Sequence, residues 1–201
     1  MLVNDLLDLA KLEAGKMDLD VSDQNLAELV VSRMAEQEAT AKQKGVTVRL
    51  ENPDSQVSGT FDSTRIGQVV TNLLSNAIKF TPQGHVIALS ISAGIMTLEG
   101  EDGLYSDLPS IGFRIEDEGI GIPDGELEQV FDKFVQSSTT NTGAGGTGLG
   151  LAICKQIMDA HSGIIWAEKA AGGGAVFSFT IPQTYFAPLA IEDPIDVLIE
   201  A

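Results

Sequence analysis

Two asparagines and a lysine on one predicted helix are the first residues in this sequence whose types and spacing could do chemistry. If residues 62–80 are helical, at about 100° per residue, Asn72, Asn76 and Lys79 fall on the side opposite an apolar face. Asparagine is a poor helix former, and Glu or Lys would suit a solvated face better. Amide oxygens can bind Mg²⁺, and a lysine one turn further can meet phosphate oxygens. The spacing indicates a metal and phosphate site, with a solvated helix face as the alternative.

A second candidate lies where a predicted strand runs into a glycine turn, from Asp117 to Pro123. Gly119 and Gly121 would let the backbone approach a flat ligand closely. Asp117, at the end of the strand, can accept a hydrogen bond from an exocyclic amine such as that of adenine. The alternative is an ordinary glycine turn with an exposed acidic residue.

A third candidate is the glycine-rich stretch of residues 143–150, which contains a literal G-x-G-x-x-G. A dinucleotide-binding turn requires a strand directly before the glycines, but residues 136–142 are polar without apolar alternation. A Walker-type loop requires a lysine after the last glycine, and the next lysine is Lys155. The glycines instead precede a predicted helix, whose free N–H groups favour anionic phosphate. A flexible linker is the alternative.

Composition restricts the class of protein. The 201 residues are 43% hydrophobic, which is enough for one domain with a core, and the net charge of −17 argues against nucleic acid or an anionic membrane as a partner. Cys154 is the single cysteine and lies in an apolar helical pattern, so we expect a buried residue in a reducing compartment. His85 and His161 have no partners at metal-ligand spacing, so we expect structural roles for both.

The elements that position these residues follow from periodicity. Leucines at 2, 6, 9 and 12 form a helical stripe that requires a partner. The pattern predicts helices at residues 24–44, 62–80, 126–134 and 149–160, and strands at 46–50, before 61, and at 85–93, 111–115, 163–168 and 175–181. Residues 94–110 hold four carboxylates and are predicted to be a loop, either functional or disordered. This mixture favours an α+β fold with helices on a mixed sheet.

Four segments, taken in order, resemble the sequence boxes of sensor histidine kinases. They are Asn72 to Phe80 for the N box, Asp117 to Pro123 for the first glycine box, Phe131 to Phe134 for the F box, and Gly146 to Ile153 for the second glycine box. Residues 3–15 are similar to the end of the second helix in that family's dimerisation and phosphoacceptor domain. The resemblance implies a helical stub at 1–20, an ATP-binding catalytic domain at 21–183 with the Bergerat fold, a two-layer sandwich, and a tail at 184–201 of unassigned role.

The resemblance also implies roles for particular residues. Asn76 would be the principal Mg²⁺ ligand with Asn72 beside it, Lys79 would face phosphate, and Asp117 would bind the adenine amine. The lid over the ATP would span residues 135–146. The other residues implied to contact the nucleotide are Phe80, Gly119, Gly121, Ile122, Lys133, Phe134, Gly146, Thr147, Gly148, Leu149 and Gly150.

The implied reaction is transfer of the γ-phosphate of ATP to a histidine, which asks a protein mainly for positioning and charge stabilisation. The acceptor histidine of the family is absent from residues 1–20, so we expect this chain to be a catalytic fragment. The implied partners are its own dimerisation domain within a homodimer and the receiver domain of a response regulator. The implied location is cytoplasmic, whether or not the parent protein has a membrane anchor.

Two alternatives remain open at this stage. The first is an ATPase of the same superfamily, but those enzymes place a glutamate base four residues before the metal-binding asparagine, where this chain has Asn72. The second is a non-catalytic module that binds ATP and signals through its dimer. No Lys or Arg occurs between Phe134 and Ile153, where many members of the family carry an arginine, and this departure keeps the second alternative open.

Overall fold

The computed structural model describes residues 18–52, 56–99, 105–138 and 147–185. The leucine stripe near the N-terminus, most of the predicted lid with Gly146, and the tail from residue 186 lie outside the described residues. In chain order the elements are β1 (Ser22–Asn25), α1 (Leu26–Lys44), β2 (Thr47–Leu50), β3 (Ser58–Phe61), α2 (Ser63–Phe80), β4 (Val86–Glu99), β5 (Tyr105–Asp117), two 3-10 turns (Asp124–Glu126 and Gln129–Phe131), α3 (Gly150–Ala160), β6 (Ile164–Lys169) and β7 (Ala175–Pro182).

The strands form a mixed sheet with the order β2-β4-β5-β7-β6. Strand β2 runs parallel to β4, and the other three pairings are antiparallel. The remaining strands, β1 and β3, form a separate antiparallel pair. The α+β class predicted from the sequence is therefore confirmed. Among the described helices, none combines the length and apolar character that crossing a membrane requires.

One hydrophobic core joins the helices to the sheet. Alternate residues of the central strands are buried in it, as expected for strands with one face against helices. The helix α2 contributes the apolar face predicted from its period, and its other face is left for the site. The buried α2 residues are Ile66, Gly67, Val69, Val70, Leu73, Leu74, Ala77 and Ile78.

The two long helices begin at side-chain caps. Asp62 precedes α2 and its Oδ1 accepts from the N–H groups of Thr64 and Arg65, as the sequence predicted for this position. Asn25 caps α1 in the same way. The sequence pattern gave no sign of β1, because its polar residues show no alternation. Pairing with β3 creates this strand.

The prediction of a loop at residues 94–110 is wrong for residues 94–99 and 105–110, and residues 100–104 lie outside the described residues. Strands β4 and β5 continue past the body of the sheet as a two-stranded ribbon, with pairs running from Ile87 and Asp117 to Glu99 and Tyr105. Within the described residues, each strand of the ribbon pairs only with the other, because the register of β4 with β2 ends at Leu89 and that of β5 with β7 ends at Ser110. Small and charged residues hide the alternation of this segment, so a local pattern could not reveal a pairing that the neighbouring strand imposes.

The prediction of a helix at residues 126–134 is also wrong. The segment forms two 3-10 turns, in which Asp132 donates its N–H to the carbonyl of Gln129 at 2.9 Å. Phe131 is buried, but Phe134 is 65% exposed and has a φ of 63°, so the two rings do not share a helix face. The backbone of Phe134 instead binds Gly148, and this long-range contact ends the regular structure.

Candidate functional site

A cavity of about 410 Å³ lies beside the polar face of α2, against the start of β7 and the glycine turn after β5. It is bounded further by the segment after the 3-10 turns and by the beginning of α3. Its lining residues are Asn72, Ser75, Asn76, Ala77, Lys79, Phe80, Asp117, Ile120, Gly121, Ile122, Val130, Val135, Gln136, Ser137, Thr147, Gly148, Gly150, Leu151, Ala175 and Phe177.

Asp117 is the buried carboxylate of this cavity, with 5% of its surface exposed. Its Oδ1 accepts from the N–H of Gly119 at 2.9 Å and from the N–H of Ala175 at 3.2 Å. No donor among the described residues reaches Oδ2. Burial raises the pKa of Asp117, and the two backbone N–H groups oppose that rise. The carboxylate is thus fixed through one oxygen and presents an acceptor to the cavity.

Gly119 stands behind Asp117 rather than in the cavity wall. A Cβ at this position would lie 2.6 Å from Oδ1 of Asp117 and 2.9 Å from the carbonyl oxygen of Phe80. The absence of a side chain therefore permits the hydrogen bond that holds the carboxylate. The predicted role of Gly119 in shaping the pocket is indirect in this geometry.

Asn72, Asn76 and Lys79 lie on one side of α2 and line the cavity, each half-buried. Asn72 also contacts α3, because its Nδ2 donates to the carbonyl oxygen of Gly150 at 3.3 Å. The ammonium of Lys79 lies 4.9 Å from the ring centroid of Phe80. Two carboxamide side chains and one ammonium side chain therefore line the same space, and both kinds of group suit a metal-bound phosphate.

The start of α3 has no side-chain cap. Leu149 occupies the N-cap position without a side-chain hydrogen bond to the helix, and Thr147 Oγ1 accepts only from the N–H of Leu149, at 3.3 Å. The first N–H groups of such a helix favour an anion. Gly148 and Gly150 line the cavity here, and Gly148 has a φ of 68° that favours glycine.

Some residues predicted for the site do not line the cavity. Leu149 is 1% exposed and belongs to the core, so its side chain cannot meet a ligand. Phe134 and Lys133 are both exposed and do not belong to the lining. Gly146 lies outside the described residues. Phe80, Gly121, Ile122 and Thr147 do line the cavity, together with the residues discussed above.

The sequence interpretation missed the wall that β7 contributes. Ala175 and Phe177 line the cavity because β7 pairs with β5, and this register places Val176 opposite Glu116. The signal available was the three glycines before Ala175, which resemble the turn after Asp117. Gln136 and Ser137 were assigned only to the lid, and both line the cavity.

The cysteine and the buried histidine take the structural places predicted for them. Cys154 is fully buried, and burial raises the pKa of its thiol to about 12, so it is not a nucleophile at neutral pH. His161 is buried at the end of α3, where its Nε2 accepts from the N–H of Asp62 at 3.2 Å. Within the described residues, no group of three His, Cys, Asp or Glu side chains could hold a metal ion. Any metal here would depend on amide and ligand oxygens.

Comparison with known proteins identifies the family. Residues 61–185 match the family described as histidine kinase-, DNA gyrase B- and HSP90-like ATPases. The chain is 36% identical to the sensor histidine kinase WalK of Bacillus subtilis and 37% identical to the circadian input-output histidine kinase CikA of Synechococcus elongatus. The alignments cover 90% and 98% of this chain, but only 28% and 25% of those relatives.

Two solved structures have the same fold. The catalytic domain of the histidine kinase ThkA, free of nucleotide, has a TM-score of 0.65 and 30% identity over 83% of this chain and 97% of that one. Full-length ShkA in complex with AMPPNP has a TM-score of 0.72 and 28% identity, over 93% of this chain and 36% of that one. The chain therefore belongs to the histidine kinase-, DNA gyrase B- and HSP90-like ATPase family, as an ATP-binding catalytic domain of the sensor histidine kinase type.

Proposed function

We propose that the cavity binds Mg²⁺-ATP and that the parent protein uses it to transfer the γ-phosphate to a histidine. The observation that supports this most directly is that one cavity is lined by Asp117 together with Asn72, Asn76 and Lys79. Its volume of about 410 Å³ is typical of small-molecule sites. The similar structure of ShkA was solved in complex with AMPPNP, which also supports a nucleotide here.

Asp117 would recognise the adenine. Its Oδ1 already accepts from two backbone N–H groups, so Oδ2 is the atom that would accept from the exocyclic amine. Both backbone bonds also stabilise the ionised form, which has acceptors only. The apolar wall of Ile122, Ala175 and Phe177 would cover the base.

Asn76 and Asn72 would hold the Mg²⁺. Their amides supply hard, uncharged oxygens, which suit this ion and leave its charge to act on the phosphates. Because the described residues offer no carboxylate cluster, the phosphate oxygens and water would complete the coordination. The bound ion would neutralise charge that develops on the transferred group.

Lys79 and the uncapped start of α3 would bind the phosphates. Lys79 lies one turn beyond Asn76, so its ammonium and the ion can act on the same anion. The N–H groups that follow Gly148 would bind phosphate oxygens, helped by the helix dipole. Lys133, which is exposed outside the cavity wall, would contact only phosphates that project from the cavity.

The residues present favour phosphate transfer over hydrolysis. The Nδ2 of Asn72 donates to Gly150, and a carboxamide cannot take a proton from water, so this position supplies no general base. A non-catalytic module would share the cavity and differ only in the reaction. The two functions can be distinguished by adding a dimerisation domain that carries an acceptor histidine and measuring whether that histidine becomes phosphorylated.

For the parent protein we propose that residues 1–20 end a dimerisation helix, residues 21–183 form the catalytic domain, and residues 184–201 form a tail. We also propose a homodimer, a response regulator receiver domain as the next phosphate acceptor, and a cytoplasmic location. The chain spans 28% or less of the length of the first curated relatives.

Calorimetric titration of the chain with Mg²⁺-ATP tests the binding site. We expect saturable binding by the wild type and a much lower affinity in Asp117→Asn. The asparagine amide would either present a donor to the adenine amine or have to rotate its oxygen away from the two backbone N–H groups. A mismatched buried hydrogen bond costs about 1 to 3 kcal/mol, which is roughly 5- to 150-fold in affinity. Glu116→Gln, next to Asp117 but outside the cavity wall, is the matched control. Wild-type affinity in Asp117→Asn would refute the adenine assignment.

A further inference from the structure

Glu126 makes an unusual set of contacts for a residue outside the cavity wall. It ends the first 3-10 turn, and its carboxylate accepts from the hydroxyl of Ser137 at 2.5 Å and from the N–H of Ser138 at 3.0 Å. The hydroxyl of Ser138 donates to the other carboxylate oxygen. One side chain therefore holds two consecutive residues that lie eleven and twelve positions further along the chain.

The residues that Glu126 holds belong to the site. Ser137 is 7% exposed and lines the cavity together with Gln136, on the segment that leads towards the lid. Hydrogen bonds to a carboxylate are stronger than those between neutral groups, so the contact can fix this segment. The hydroxyl of Ser137 is the largest cause that holds the pKa of Glu126 below its usual range, so the carboxylate is ionised at neutral pH.

A backbone contact holds the same segment at a second point. Phe134 donates its N–H to the carbonyl oxygen of Gly148 at 2.9 Å, which joins the residues before the lid to those after it. This contact fixes where the segment starts and where it returns. Glu126 adds three hydrogen bonds to this segment, all of them at residues 137 and 138.

We propose that Glu126 is a positioning residue for the phosphate side of the nucleotide site, holding Gln136 and Ser137 in the cavity wall. This inference rests on the proposed binding of ATP. Glu126 touches no ligand in this arrangement and acts through the two serines. Without Glu126, the segment would leave the cavity wall for part of the time. The affinity for a ligand that contacts this wall would then fall in proportion to the fraction of molecules in which the segment is still in place.

The test compares two ligands on the full chain. Mg²⁺-ATP uses the phosphate side of the site, whereas adenosine uses only the base-binding side. We expect Glu126→Ala to weaken Mg²⁺-ATP about tenfold and to leave adenosine within about twofold, measured by calorimetry and by NMR titration. Ser138→Ala removes one of the three hydrogen bonds to Glu126 by changing the serine instead of the glutamate. We expect it to weaken Mg²⁺-ATP binding as well, but less than Glu126→Ala does.

Glu128→Ala is the matched control, because it removes an exposed carboxylate two residues away and changes the net charge equally. We expect it to bind both ligands as the wild type does. An unchanged ratio of the two affinities in Glu126→Ala, with both unaltered or both weakened alike, would overturn the positioning role while leaving the ATP site intact. A wild-type chain that binds no Mg²⁺-ATP would instead overturn the proposed function, and the positioning role with it.

Discussion

The side chain of Asn72, in the middle of α2, donates a hydrogen bond to the carbonyl oxygen of Gly150, the first residue of α3. The two residues are 78 positions apart, and the contact joins the helix that carries Asn72 and Asn76 to the helix whose N-terminus faces the cavity. One amide group can thus donate to α3 through Nδ2 while its oxygen stays available to a metal. The proposed metal and phosphate sites are therefore connected through this residue.

Replacement of Asn72 tests that connection. We expect Asn72→Ala to lower the free energy of unfolding by about 1 kcal/mol, the usual worth of such a hydrogen bond. Asn72→Asp should cost more, because a carboxylate would face the carbonyl oxygen of Gly150. Urea denaturation measures both. If the aspartate variant were as stable as the wild type without a metal, the contact with Gly150 would have no energetic importance.

Removal of metal tests the proposed role of Asn76. We expect wild-type affinity for ATP to fall when Mg²⁺ is chelated, and Asn76→Ala to lose most of this difference while retaining the affinity measured with chelator. Thr71→Ala, on the same helix but outside the cavity wall, is the matched control. An Asn76→Ala variant with the full Mg²⁺ effect would remove this residue from the metal site.

A side chain at Gly148 would collide with the backbone of Phe134. The φ of Gly148 is 68°, and a Cβ would lie 2.8 Å from the carbonyl carbon of Phe134. We expect Gly148→Ala to cost about 1 to 3 kcal/mol of stability and to weaken Mg²⁺-ATP. Thermal unfolding and calorimetry measure the two effects.

The control for this substitution is Gly125→Ala. A Cβ on Gly125 meets nothing within 4 Å, and its backbone is not in the left-handed region. We expect a change within about 0.5 kcal/mol. Equal effects at the two positions would show that the close approach of Gly148 to Phe134 does not limit the fold.

His161 should make stability depend on pH. Burial lowers its pKa in the folded chain, and its neutral ring accepts from the N–H of Asp62 through Nε2, while Nδ1 lies 2.8 Å from the carbonyl of Ile157. Below the unfolded pKa of about 6.5 the unfolded chain therefore binds more protons. The contribution of His161 to stability should be constant above about pH 7.5 and fall as the pH drops below about 6.5 towards the lower folded pKa.

The measurement is the difference in unfolding free energy between the wild type and His161→Gln, taken from pH 8 to pH 5. The glutamine can still accept from Asp62 but does not titrate, and His85 and the carboxylates are common to both chains. We expect the difference in unfolding free energy in favour of the wild type to decrease as the pH is lowered. A difference that stays constant across this range would contradict a neutral His161 in the folded protein.

Local pattern was enough for the parts of the site that lie within one element. The cap at Asp62 and the face of α2 with Asn72 and Asn76 depend on helical spacing and on contacts two to four residues apart. Asp117 at the end of β5 follows from strand alternation and a glycine turn. Together with the order of the four boxes, these features predicted the family, which the comparisons confirm.

Tertiary structure decided what depends on distant partners. The ribbon of β4 and β5, the 3-10 turns in place of a helix, and the wall from Ala175 arise from strand pairing and backbone contacts that no short window contains. The same holds for Glu126 and its serines. Hydrogen bonds between remote segments form only when the chain has folded, because each strand or turn there satisfies its backbone with groups that the sequence places far away.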